Sequence, residues 1–69
     1  MKKQPKYIYI MISNRGYKTF LSREKALQEI HNYVGDTTVE AICIMINVKN
    51  LTESYVATAS FGIVITYED

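Results

Sequence analysis

Side chains able to do chemistry are few in this sequence of 69 residues, which holds one histidine, one cysteine and seven carboxylates. His31 falls in a helical pattern beside Leu27 and Val34, a boundary position, and Asp36 follows the glycine that ends the pattern. No serine stands near either in the arrangement that nucleophilic catalysis uses. Cys43 sits in an isoleucine-rich run, where a thiol is a small hydrophobe with a raised pKa. A single cysteine closes no internal disulfide and builds no cysteine zinc site. Glu24, Glu29, Glu40 and Glu53 are scattered without paired spacing, and three glycines are too few for a phosphate-cradling loop. The expectation is a protein that is not an enzyme, with no catalytic residue, no metal and no cofactor.

Binding has more support. Residues 1–25 carry Lys2, Lys3, Lys6, Arg15, Lys18, Arg23 and Lys25 against Glu24 alone, a balance of 7 − 1 = +6. Residues 26–69 carry Lys49 against six acids, 1 − 6 = −5, so the net charge of +1 conceals an asymmetry. The basic side chains interleave with Tyr7, Tyr9, Tyr17 and Phe20, a mixture that neutralises phosphates and stacks bases. Arg15-Gly16-Tyr17 resembles the opening of the aromatic RNA-recognition signature. It departs at Lys18, where a small residue belongs, and at Thr19, where phenylalanine belongs. The pI of 7.8 is also below that of most nucleic-acid-binding domains. A solvated turn and tail that keep the protein soluble is the plainer account of the same charges.

The elements that must position these residues follow from periodicity. Residues 6–13 read as a strand with Ile8, Ile10 and Ile12 on one face and Tyr7, Tyr9 and Met11 on the other. Asn14-Arg15-Gly16 makes a short hairpin loop returning a second strand over 17–21. Ser22 is an N-cap, Glu24 lies in the first turn, and Leu21 can staple onto Ala26, which predicts a helix over 23–34 stopped by Gly35. Residues 39–48 form a strand apolar on both faces, hence central. Residues 55–67 read as a last strand, with Gly62 marking a bulge or a close backbone approach. Asn50 with Glu53 resembles a capping box, so 51–59 has a competing reading as a short helix; Val56 and Thr58 favour strand.

The order β-β-α-β-β predicts a single α+β domain over 1–69: a four-stranded, mainly antiparallel sheet with one helix on one face, and a mobile basic tail at 1–5. One helix covers one face. The isoleucine sets of the strands are the natural choice for it, which leaves Met11, Cys43, Met45 and Val64, with Tyr7 and Tyr9, on an open apolar face. Self-association would bury that face, most simply in a homodimer. A surface for another protein and a C-terminal segment folded over the patch are the alternatives.

The apolar run at 7–12 is shorter than the roughly 7–15 residues of a signal core, and nothing approaches the ~18 of a membrane span, so the expected setting is the cytoplasm. Richness in Ile, Lys, Tyr and Asn at this size resembles the small accessory proteins of phages and mobile elements. The expected function is a non-enzymatic protein-protein interaction, for instance inhibition of a host defence system. Tyr7, Tyr9, Arg15, Tyr17 and Lys18 of the first hairpin are the partner-binding residues in this reading. The alternative is a nucleic-acid-binding regulator that uses the same basic hairpin.

Overall fold

Five strands and one helix form in the computed structural model, which describes residues 5–67. The expected tail therefore lies, Pro5 apart, outside the described residues. Alternating Tyr/Ile/Met residues form β1 (Tyr7–Ser13), which turns at Asn14-Arg15 into β2 (Gly16–Phe20). Gly16 closes that hairpin with φ +121°, a backbone angle open chiefly to glycine.

The helix α1 (Arg23–His31) starts where Ser22 predicts. Ser22 is extended, and its hydroxyl accepts a hydrogen bond from the Lys25 amide at 3.4 Å. Leu21 does not staple: it is exposed, while Ala26 is buried under the helix. The helix is also shorter than the 23–34 expected. The amides of Asn32, Tyr33 and Val34 bond the carbonyls three residues back, tightening the chain into a turn that leaves Val34 in solvent.

Next come β3 (Ala41–Asn47), β4 (Glu53–Ser60) and β5 (Ile63–Thr66), giving one sheet in the order β2-β1-β3-β4-β5 with every pairing antiparallel. The α+β class and the antiparallel sheet are as the periodicity implies, and the central strand is β3. The number of strands is five, not four. The stretch that reads as one strand over 55–67 breaks at Phe61-Gly62, whose φ angles of +54° and +77° make a two-residue hairpin turn between paired Ser60 and Ile63. The start of β4 is strand, not the short helix that Asn50 and Glu53 would cap. Asn50 and Asn47 instead cap backbone amides within the β3–β4 turn.

The larger correction concerns the faces of the sheet. The helix covers the Tyr9/Met11 side, where Ala26 and Ile30 pack with Ala41, Cys43, Val56, Ala57 and Ala59. The residues expected to lie open are therefore inside. Met11 and Cys43 are buried, and Met45 and Val64 pack partly buried against the core, as does Tyr7. Packing between elements decides this: on the helix side the small Ala41, Cys43, Ala57 and Ala59 lie among larger Tyr9, Met11 and Val56, and Ala26 and Ile30 pack against them. A β-bulge completes this packing. Between Cys43↔Ala57 and Ile44↔Tyr55 the register shifts, so Val56 has no cross-strand partner and turns inward beside Ala57.

Candidate functional site: an uncovered isoleucine face

The side of the sheet away from the helix carries Ile8, Ile10 and Ile12 of β1 paired directly with Ile46, Ile44 and Ile42 of β3. These six β-branched side chains form a continuous apolar strip across the two central strands. The bulge turns Tyr55 onto the same side, where its ring lies 6.2 Å from that of Tyr67. Ile63 and Ile65 of β5 extend the strip towards one edge and Tyr17 of β2 towards the other. Tyr17 is 76% exposed, Ile63 62%, Tyr55 60% and Ile12 49%. Within the strands of this face the only charged residue is Glu53, at the far end of β4. The surface is mostly apolar, with Thr19, Thr58 and Ser60 among the isoleucines and tyrosines flanking them.

The five residues expected to bind a partner do not form one patch. Tyr17 joins the isoleucine face. Tyr9 is buried in the core, and Tyr7 packs against it on the helix side. Lys18, opposite Met11, also points to the helix side and bonds Glu29 at 2.7 Å. That hydrogen bond, followed by the charge of Glu29, raises the Lys18 pKa above its ordinary value. Arg15 stands at the hairpin tip, where Nη2 donates to Thr38 Oγ1 at 2.7 Å and lies 3.9 Å from Asp36. Asn14 bonds Thr38 and Glu40 in the same place, lacing the tip to the 36–40 segment. Asp36 accepts from both the hydroxyl and the amide of Thr38, which holds its carboxyl below the ordinary carboxylate range, with Arg15 adding a smaller effect. Both ion pairs join the basic first third to the acidic remainder. The charge asymmetry along the chain is thus partly neutralised within the fold.

The catalytic inventory stays dispersed. His31 bonds the Leu27 carbonyl through Nδ1 at 2.7 Å, so its ring closes the last helical turn. Burial pushes the Cys43 thiol pKa up. Among the described residues no three His, Cys, Asp or Glu side chains gather as metal ligands, and no helix is long and apolar enough to cross a membrane. No family model, curated protein or solved structure matches this chain. The isoleucine strip is visible in the sequence as alternation, but alternation alone does not say which side the helix takes. The sequence feature that distinguishes the two faces is the set of small residues Ala41, Cys43, Ala57 and Ala59 on the helix side.

Proposed function

We propose that this chain is a small, non-enzymatic protein-interaction protein whose working surface is the isoleucine face. The observation that carries this reading is the strip of half-buried Ile8, Ile10, Ile42, Ile44 and Ile46 with exposed Ile12, uncovered by the helix and flanked by exposed Tyr17, Tyr55, Ile63 and Ile65, a contiguous apolar surface of the kind that marks interaction sites. Tyrosine at the rim of an apolar centre is the composition of protein contact surfaces. A phosphate-binding surface needs free cations, and this face has none within its strands. Blocking a surface of a larger protein, as an accessory inhibitor from a phage or mobile element does, asks for nothing beyond such a contact. A nucleic-acid-binding regulator is the alternative, and it would use the basic hairpin; Lys18 and Arg15 there are engaged with Glu29 and with Thr38 and Asp36.

The test compares tagged wild type with an Ile10→Lys/Ile44→Lys variant recovered from the native host. Any protein held by wild type should be lost from the variant, an untagged copy of this chain included. In parallel, fluorescence anisotropy at 50 mM salt with short DNA and RNA should show no binding. Tight binding that weakens steeply with salt and survives both substitutions would replace this reading with the nucleic-acid one.

A further inference from the structure

Resting on that reading, we infer that the occupant of the isoleucine face is a second copy of this chain, stacked sheet against sheet about a two-fold axis that passes beside Ile44. Three properties of the face select this occupant. Its extent is the first. Around the half-buried centre, the exposed parts of Ile12, Tyr17, Tyr55, Ile63, Ile65 and Tyr67 amount to roughly 800 Å², about one partner's share of a standard interface. Charge is the second. Around a two-fold axis each residue meets its own copy, so any charge near the axis repels itself. The middle of this face is uncharged, and Glu53 lies at a corner. Shape is the third. A twisted sheet face complements another of the same twist, with the sheets about 10 Å apart and the strands within roughly 30° of alignment. Ile44 is the middle residue of β3, and β3 is the middle strand of five, so Ile44 is the geometric centre of the sheet.

In the resulting dimer the isoleucines of both copies interdigitate at the centre and the tyrosines flank them, with both helices on the outside and both hairpin tips in solvent. It is held by apolar contact, not by pairing the +6 segment of one copy with the −5 remainder of the other. Salt therefore discriminates between the two kinds of dimer: raising NaCl from 50 to 500 mM should leave the dissociation constant within about threefold or tighten it, whereas charge pairing would weaken it.

The experiment is sedimentation velocity of the purified chain from 5 to 200 µM, at both salt concentrations. A species of twice the 8.0 kDa chain mass is expected in each. The Ile44→Lys variant should sediment as a monomer with unchanged circular dichroism. Because that variant can fail to fold, Tyr55→Glu, at a 60% exposed position paired with Ile44, supplies an independent arm: it should weaken the dimer at least tenfold with unchanged circular dichroism. A wild type that is monomeric at 200 µM, a dimer that dissociates in 500 mM salt, or a folded Tyr55→Glu chain that dimerises as tightly as wild type would each overturn the dimer. If wild type is monomeric and yet loses a different host protein on Ile10→Lys/Ile44→Lys substitution, the interaction reading stands and the self-pairing alone falls.

Discussion

At the scale of single residues, burial decides what chemistry remains. Cys43 lies between the sheet and α1 with no exposed surface, and desolvation holds its thiol above the ordinary pKa. Its thiolate is therefore scarce and shielded at neutral pH. A disulfide-exchange reagent at pH 8 should modify the folded chain more than about tenfold more slowly than the chain in guanidinium, the reading being the colour released per minute. Equal rates would mean that the core opens readily around β3. Asp36 acts in the opposite sense. Its folded pKa lies below the ordinary 3.8, so the stabilisation it provides is present above that value and is lost as pH falls through the depressed folded pKa. The melting temperature of wild type should exceed that of Asp36→Ala at pH 6, and the gap should narrow towards pH 2.5. A gap that does not change with pH would remove the carboxylate from the account.

At the scale of elements, the β4–β5 hairpin is the most informative piece. Phe61 sits at φ +54°, in the left-handed region, and is 74% exposed. A bulky residue there costs about 1–2 kcal/mol of backbone strain. Phe61→Asn should raise stability by about 1 kcal/mol in urea titration, since asparagine suits this turn and little apolar burial is given up. Gly62 is the reverse case. A Cβ at this position would lie 3.1 Å from the Cα of Gly35, and the Gly35 amide donates to the Gly62 carbonyl at 2.8 Å. The turn is thereby docked on the segment that leaves the helix. Gly62→Ala should cost roughly 1–3 kcal/mol, read as a fall in the denaturation midpoint. Local pattern marks Gly62 as a bulge or a close backbone approach within one strand, and the close approach is what the structure shows. Its role in the fold depends on Gly35, 27 positions earlier in the chain, and no local pattern contains that contact.

At the scale of the whole molecule, a helix of nine residues is about 13 Å long and some 10 Å wide, while five strands span roughly 20 Å, so one element cannot enclose both faces of this sheet. That mismatch leaves the isoleucine face open to a second sheet. For the proposed dimer, a charge at Ile44 should disrupt association far more than it disturbs the protomer, because Ile44 lies on the side of the sheet away from the core. Thermal melting of wild type should accordingly rise with protein concentration, and that of Ile44→Lys should not.

Alternation and capping, which are local, suffice for the α+β class, the antiparallel hairpin at Asn14–Gly16, the helix start at Ser22 and the central position of 41–47. They also show that two apolar faces exist, because side chains alternate across a strand whatever lies above it. Which face the helix takes is a different kind of quantity. It depends on contacts between elements, in which Ala26 and Ile30 of α1 meet Ala41 and Cys43 from one strand with Ala57 and Ala59 from another. The bulge at Val56, the ion pairs Lys18–Glu29 and Arg15–Asp36, and the docking of Gly62 on Gly35 likewise join residues distant in the chain. The order of residues thus sets the elements and the two-sided apolar character of the strands. Which apolar face meets the helix and which meets water is settled only when the elements pack, because that choice rests on the contacts between them and not on the pattern within any one.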